Sequence, residues 1–440
     1  MSSSAAPSLR RQSIQSVAWT LLSYGGSQAL RLVSNLLLTR LLAPEHFGVM
    51  AIVTVFLIGL SMFSDIGLGP NIVQSPRSRE PDFLNTAFTL QFVRGVALWL
   101  ACLLAGHPLA LFYGEPSLTW LIPGAGLVSI IYGLNSTNVF TVQRDLNLVR
   151  LTVVELSAQV TALVLMVGLA GWHPSVWVLV AGSLVAAAVK VVASHLWLPG
   201  IRNRFHWDAG IAGELVRFGR WIFLSTLLSF ASNSTASLIL GKFVSMAEVG
   251  VFSIAATLAK AVEQAYEQIA QRVLLPVYAQ IRHSEPGLLR SRVRKIRLGV
   301  MSLFLPMLWV LACLAEWLVG RLFDSRYSGA GWILRAYALG LVPVIVAGIG
   351  PFYLALGNAR LMMWMSAIKL LSYLGAMLLG WAWGGTTGLV VGMSCFTVFV
   401  YLADVTNQWR HGIWLPALDL LGFGATALVV GGFHAVWGWR

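Results

Sequence analysis

The stretch WTLLSYGGSQALRLVSNLLLTRLLAPEHFGVMAIVTVFLIGLSMFSDIG, residues 19–67, has a weak second copy in the same chain. A shift of 202 positions places residues 221–269 on it, and identical or similar residues recur along both copies. The matched pairs include Trp19 with Trp221, Ser27 with Ser229, Arg40 with Lys242, Gly48 with Gly250 and Asp65 with Glu267. Two similar halves with ionisable groups inside apolar segments are typical of a membrane transporter.

The composition is that of a membrane protein. Of the 440 residues 57% are hydrophobic and 11% are charged, whereas charged residues make up about 25% of a soluble domain. Apolar runs of about 20 residues recur along the chain, each long enough to cross about 30 Å of hydrocarbon. We predict thirteen membrane spans, at about 14–39, 47–66, 84–105, 118–140, 151–170, 176–198, 221–241, 248–272, 298–319, 329–352, 361–381, 387–408 and 416–437.

These spans predict an all-α polytopic membrane protein with two six-helix lobes around a central cavity. Because each lobe has an even number of spans, both lobes enter the membrane in the same orientation, as a parallel repeat about an axis along the membrane normal. The predicted parts are a cytoplasmic N-terminal segment, an N-lobe, a cytoplasmic linker, a C-lobe and an extra C-terminal span, at 1–13, 14–198, 199–220, 221–408 and 409–440.

The net charge of +13 is explained by topology. Nineteen of the 30 Lys and Arg residues fall on the side of the N-terminus and five on the other side, while six lie inside spans. This asymmetry predicts a cytoplasmic N-terminus and argues against nucleic acid as the partner. The three cysteines, Cys102, Cys313 and Cys395, are too scattered for a disulfide framework or a metal site, and no cofactor is expected.

The connections on the outer side are at most about twelve residues long by this span assignment. Membrane glycosyltransferases and polysaccharide polymerases usually build their active sites on large outer loops. The short connections therefore favour a transporter over an enzyme.

The six cations inside spans are Arg31, Arg94, Lys190, Lys260, Arg335 and Lys369. Each would cost about 2.5–3.5 kcal/mol at a helix centre that faces lipid, so most must face water or a partner. Lys190 and Arg335 lie toward span ends, from which their side chains can reach the membrane surface. The other four predict a cationic path that suits an anionic group such as a phosphate or pyrophosphate.

Polar residues repeat along the eighth predicted span. Thr257, Lys260, Gln264, Glu267 and Gln271 recur at spacings of three or four, so they share one helical face that Glu263 adjoins. This face predicts either a cavity wall or an internal pair between Lys260 and Glu263 or Gln264 without a ligand. Glu263, Glu267 and Asp65 are candidates for gating or for carrying a coupling proton or sodium ion. The alternative for Asp65 and Glu267 is that they are salt-bridge partners or lie at cytoplasmic helix ends.

A second pattern lies in the first half, in SNLLLTRLLAPEHFGVMAIVTVFLIGLSMFSDIGLGPNIVQ, residues 34–74. A helix, an L-x-P-E-x-F-G turn, a second helix and then D-x-G-L with a terminal Gln follow one another, and LNTAFTLQFVRG (84–95) comes next. This arrangement resembles the polysaccharide transporter, or Wzx-type flippase, family of the multidrug/oligosaccharidyl-lipid/polysaccharide exporter superfamily. The residues that carry the resemblance are Leu42, Pro44, Glu45, Phe47, Gly48, Asp65, Gly67, Leu68 and Gln74.

The resemblance implies two six-helix lobes and a central cationic cavity in the bacterial inner membrane. It implies a flippase that moves undecaprenyl-pyrophosphate-linked oligosaccharides from the inner to the outer leaflet for exopolysaccharide, capsule or O-antigen assembly. Arg31, Arg94, Lys260 and Lys369 would contact the headgroup of this lipid-linked substrate, and polymerase or export machinery would be a partner. The alternatives are a multidrug or cation antiporter of the same superfamily and, more distantly, a membrane glycosyltransferase or polymerase.

Overall fold

The computed structural model describes residues 9–64, 67–75, 77–144, 148–216, 240–270, 289–348 and 359–438. Apolar segments of this length form helices because a helix satisfies all its backbone hydrogen bonds internally, which lipid cannot do. Eight of the described helices are long and apolar enough to cross a membrane, or nine if one bent pair counts as a span. The predicted all-α membrane fold is therefore confirmed. The chain divides into two compact units, residues 1–249 and 250–440.

Eight helices of the N-terminal unit lie wholly within the described residues. They are α1 (Leu9–Leu41), α2 (Pro44–Phe63), α3 (Leu68–Gln74), α4 (Pro81–Tyr113), α5 (Leu118–Gly133), α6 (Asn138–Arg144), α7 (Leu148–Trp172) and α8 (Trp177–Leu196). Proline at the first position starts both α2 and α4, where its missing N–H group costs nothing. A buried core joins α2, α4, α5 and α8 through residues such as Ile52, Cys102 and Leu121.

The fourth predicted span is broken. Helices α5 and α6 are bent by 61° relative to each other, whereas the apolar run 118–140 predicts a single helix. Polar side chains at the break bond to residues outside the helix: the Ser136 Oγ donates to Asn203 Oδ1 at 2.7 Å, and the Asn138 Nδ2 donates to the Ile201 carbonyl at 2.9 Å. These local bonds compete with the helical pattern and end α5.

The described part of the predicted linker, residues 199–216, packs on the N-terminal unit. The backbone N–H of Arg204 donates to Asn85 Oδ1 at 2.9 Å, and that of His206 donates to Thr89 Oγ1 at 2.9 Å. Ile211 and Leu215 are buried in one cluster with Leu84. The lobe boundaries at 198 and 221 stay a prediction, since 217–239 lies outside the described residues.

Five helices of the C-terminal unit lie within the described residues. They are α9 (Met246–Ile269, which begins in the N-terminal unit), α10 (Leu289–Leu322), α11 (Ala330–Ala347), α12 (Ala359–Arg410) and α13 (Pro416–Trp437). All five contribute to one buried core that includes Val262, Phe304, Leu341, Met365 and Leu418. Helix α13 coincides with the predicted thirteenth span. Of the other predicted spans, the seventh is the one that falls almost wholly outside the described residues.

Helix α12 is a helical hairpin. Its backbone leaves the helical conformation at Gly384 and Gly385, and Gly385 has φ 56°, a left-handed conformation that favours glycine. The two arms, 359–383 (α12a) and 386–410 (α12b), pack so closely that a Cβ on Gly388 would lie 2.0 Å from the Gly380 carbonyl oxygen. Small residues permit this approach, as is usual between membrane helices. The arms correspond to the predicted spans 361–381 and 387–408.

We expect Gly388→Ala to destabilise the C-terminal unit by about 1–3 kcal/mol, the usual cost of overpacking, because the new methyl group would push the two arms apart. The thermal unfolding midpoint in detergent measures this loss. Gly375→Ala is the matched control on α12a, where nothing lies within 4 Å of the added Cβ. A midpoint as high in Gly388→Ala as in Gly375→Ala would contradict the close packing.

Candidate functional site

A cavity of about 550 Å³ lies inside the C-terminal unit, among α9, α11 and the two arms of α12. This volume is within the range of small-ligand sites. Side chains of mixed polarity surround it: Glu263, Tyr266, Glu267, Gln268, Tyr337, Met365, Ser366, Lys369, Met393, Ser394, Phe396, Thr397, Tyr401 and Asp404. Of these helices, α11 and α12 are long and apolar enough to cross a membrane. The cavity places ionisable groups beside them, and charges at such positions are usually functional.

Three of the predicted site residues meet in this cavity, namely Glu263 and Glu267 from α9 and Lys369 from α12a. Lys260 lies one turn before Glu263 and is half-buried. The ammonium groups of Lys369 and Lys260 attract the Glu267 carboxylate, while the Glu263 carboxylate repels it. The structure therefore gathers two predicted cations and two predicted acids into one electrostatic cluster.

The polar face predicted for α9 is supported by the burial of residues on the opposite face of the helix. Ile254, Ala255 and Val262 lie on the opposite, apolar face, and all three are buried in the protein. On the polar side, the Glu263 Oε2 accepts a hydrogen bond from the Tyr337 hydroxyl at 3.4 Å. Helix α9 thus uses its amphipathic pattern to place carboxylates at the cavity wall.

A second polar face was not selected from the sequence. Ser394, Thr397, Tyr401 and Asp404 recur at spacings of three and four along α12b, and all four line the cavity. The Thr397 hydroxyl donates to the Gly340 carbonyl of α11 at 2.6 Å. The same periodicity that identified α9 would have found this face. It adds a third carboxylate, that of Asp404, to the cavity wall.

The predicted cations of the N-terminal unit are placed differently. Arg94 on α4 is half-buried and its guanidinium donates to the end of α2, with the Nη2 2.6 Å from the Ser61 carbonyl oxygen and the Nε 3.0 Å from Ser64 Oγ. A cation at the last turn of a helix is favourable for the helix dipole. Arg31 is exposed on α1. Asp65, which follows this end of α2, lies outside the described residues.

The two cations predicted near span ends have carboxylate partners on neighbouring helices. Lys190 Nζ of α8 lies 3.7 Å from Glu155 Oε1 of α7, and Arg335 Nη2 of α11 lies 2.8 Å from Glu316 Oε1 of α10. Pairing of this kind lowers the cost of a charge inside a membrane. These two cations are therefore matched locally, away from the cavity.

The cavity wall carries side chains of both charge signs. Its carboxylates can accept a proton or attract a cation, and Lys369 can attract an anion. In the part of the chain that the structure describes, no three His, Cys, Asp or Glu side chains are grouped closely enough to hold a metal ion.

The fold matches that of known transporters. The chain aligns with the lipid II flippase MurJ in its inward closed conformation over 96% of this chain and 98% of that one, with a TM-score of 0.68 at 12% identity. It aligns with an inward-facing multidrug resistance MATE transporter of the MOP superfamily over 93% and 96%, with a TM-score of 0.63 at 14% identity. At such identities the likeness shows the fold alone.

Sequence comparison identifies the family. The chain is similar to the lipopolysaccharide biosynthesis protein WzxC of Escherichia coli, at 21% identity over 93% of this chain and 85% of the relative. It is also similar to the succinoglycan biosynthesis transport protein ExoT of Rhizobium meliloti, at 23% over 94% and 85%. The model of the family described as "Polysaccharide biosynthesis protein" matches residues 37–330, well over half of the chain, and the chain belongs to this family.

Proposed function

We propose that the protein is a flippase that carries undecaprenyl-pyrophosphate-linked oligosaccharide repeat units from the inner to the outer leaflet of the bacterial inner membrane. Alternation between an inward-open state and an outward-open state would move the headgroup while the prenyl tail stays in lipid. The observation that carries this proposal is the charged cavity within membrane helices of a chain that has a flippase fold and belongs to a polysaccharide biosynthesis family.

The orientation that we propose places the N-terminus in the cytoplasm, as the distribution of Lys and Arg favours. Arg31, Arg94, Lys260 and Lys369 are the proposed contacts for the pyrophosphate, whose oxygens accept charge-assisted hydrogen bonds. Glu263, Glu267 and Asp65 are the proposed gating or coupling groups. Because Lys260 and Lys369 also attract Glu267, a bound pyrophosphate would compete with this carboxylate for the two lysines. Such competition would link substrate binding to ion or proton binding at Glu267.

One observation favours a second candidate, a multidrug or cation antiporter. The cavity in the C-terminal unit has three carboxylates, Glu263, Glu267 and Asp404, against one lysine at its wall. An excess of acids suits a cationic substrate as well as a coupling cation. Under the flippase proposal the carboxylates of this site bind the coupling ion, whereas under the antiporter proposal they would bind a cationic drug.

Deletion of the gene tests the flippase proposal. We expect lipid-linked oligosaccharide to accumulate in the inner leaflet, as measured by labelling its sugars and probing their accessibility from the outer face. The intact protein should reverse this accumulation. The double variant Arg94→Gln/Lys260→Gln should not, because the pyrophosphate would lose two charge-assisted contacts, each worth about 1.5–3 kcal/mol.

Lys190→Gln is the matched control, because Lys190 is paired with Glu155 outside the cavity. At equal protein abundance it should restore translocation. Normal translocation by the double variant would exclude these two cations as headgroup contacts. Normal translocation in the deletion strain, together with altered sensitivity to cationic drugs, would instead support the antiporter.

A further inference from the structure

The first turn of α13 contains a buried carboxylate. Asp419 is 4% exposed, and three donors from three different segments surround it. Arg297 of α10 forms an ion pair with Oδ1. The Oδ2 accepts a hydrogen bond from the Tyr401 hydroxyl at 2.9 Å and one from Trp414 Nε1 at 3.0 Å. Asp419 is therefore the point at which α13 is joined to the rest of the C-terminal unit by polar contacts.

Arg297 extends these contacts to α11 and to a second residue of α12b. It is fully buried, and its guanidinium also donates to the Val346 carbonyl at the end of α11 and to Gln408 Oε1 of α12b, the latter at 3.0 Å. A buried ion pair is maintained when its geometry and its additional hydrogen bonds offset the loss of hydration. The network thus fixes α13 relative to α10, α11 and α12b.

Tyr401 belongs both to the cavity wall and to the polar contacts of Asp419. Its ring lines the cavity that contains Glu263, Glu267 and Lys369, and its hydroxyl is bonded to Asp419. The ring also packs edge-on against Phe423 of α13, with 5.1 Å between the ring centroids. Asp404 follows one turn later on α12b and lines the same cavity. Any movement of α13 would therefore displace one side of the cavity wall.

We propose that α13, the helix outside the two six-span repeats, is a positioning element for the cavity, and that Asp419 acts through Tyr401. The Asp419 carboxylate holds the Tyr401 ring in its place in the cavity wall. Through this contact α13 controls how open the cavity is. A consequence for transport rests on the coupling role proposed for this cavity, whereas the positioning itself does not. The test is accordingly one of cavity access, independent of transport.

The test uses the full-length protein with Cys102, Cys313 and Cys395 replaced by alanine and Ser366→Cys introduced at the cavity wall of α12a. A small methanethiosulfonate reagent then reports the accessibility of the cavity. Tyr401→Phe should increase the labelling rate about tenfold, because the ring would lose the hydrogen bond through which Asp419 holds it in the cavity wall. The cavity wall would then be held by ring packing alone.

Thr426→Val is the matched control. It removes another hydrogen bond between α10 and α13, from Trp309 Nε1 to Thr426 Oγ1 at 3.0 Å, and neither residue lines the cavity. It should lower the thermal midpoint about as much as Tyr401→Phe and leave the labelling rate unchanged. Equal labelling rates in the two variants would overturn the proposal, whether the rate rises in both or in neither.

Transport measurements on the same variants separate this proposal from the flippase proposal. Faster labelling with altered translocation supports both. Faster labelling in a protein that does not translocate lipid-linked oligosaccharide at all would support the positioning role of α13 and contradict the flippase proposal. Unchanged labelling in a protein that translocates lipid-linked oligosaccharide would contradict the positioning role and leave the flippase proposal standing.

Discussion

Arg297→Met is expected to destabilise the folded protein by about 3–5 kcal/mol, the usual cost of removing one partner from a buried ion pair. The variant would leave the Asp419 carboxylate buried without its counter-charge, and the Val346 carbonyl and Gln408 Oε1 would each lose a donor. Methionine has a similar length, so the loss would arise from charge and hydrogen bonding more than from volume. Chemical unfolding in detergent, followed by the fluorescence of the tryptophans, measures the difference.

The double variant Arg297→Met/Asp419→Leu distinguishes an uncompensated charge from a lost contact. If the uncompensated carboxylate causes the loss, removing it should restore most of the stability, because apolar replacements of buried ion pairs are often neutral. A double variant less stable than Arg297→Met would contradict this explanation. Arg290→Met is the control on the same helix, since Arg290 is exposed and donates to the Trp414 carbonyl at 3.2 Å; it should change stability little.

Arg297 also shows where sequence reasoning stopped short. Its position in a basic connection, within RHSEPGLLRSRVRKIR, indicates a cytoplasmic topogenic cation. The structure instead buries it completely. Its partner Asp419 lies 122 positions later in the chain, and no local pattern relates the two. Topology can be predicted from local hydropathy and charge, but a long-range pair depends on which helices pack together.

The cavity could be predicted only in part, because local patterns are visible in the sequence and long-range packing is not. The polar face of α9 is a local periodic pattern, so Glu263 and Glu267 were accessible to sequence analysis. The α12b face with Ser394, Thr397, Tyr401 and Asp404 has the same periodicity and was overlooked among hydrophobic neighbours. That the two faces meet, together with Lys369, follows from tertiary packing. The repeat that pairs Asp65 with Glu267 predicts a related group in the first half, and this stays a prediction.

The break between α5 and α6 illustrates a further limit. The run 118–140 is apolar enough for one helix, and Gly133, at which α5 ends, is no stronger a break signal than Gly124 and Gly126 inside α5. The interruption becomes favourable because Asn203 and Ile201 supply hydrogen-bond partners from the following connection. Polar residues inside an apolar run are therefore potential helix ends wherever a distant segment can satisfy them.

Glu267→Gln is expected to reduce translocation about 100-fold at normal protein abundance, within the range of typical coupling energies between two sites. The amide keeps the shape of the side chain and removes its negative charge. Under the proposed mechanism the Glu267 carboxylate and the pyrophosphate compete for Lys260 and Lys369. A neutral side chain at position 267 would not displace the pyrophosphate from the two lysines, so release of the substrate would be slow. Translocation of lipid-linked oligosaccharide in reconstituted vesicles, alongside the amount of folded protein, measures the effect.

Two further variants show whether charge at this position serves transport or only folding. Glu316→Gln neutralises another carboxylate within the span region of the same unit, one that pairs with Arg335 and does not line the cavity, and it should retain translocation. The double variant Glu267→Gln/Lys369→Met removes opposite charges together. If the pair were merely structural, the double variant would recover both stability and translocation. Under the coupling proposal translocation remains low whatever the stability, because the exchanging carboxylate and a proposed headgroup contact are both missing.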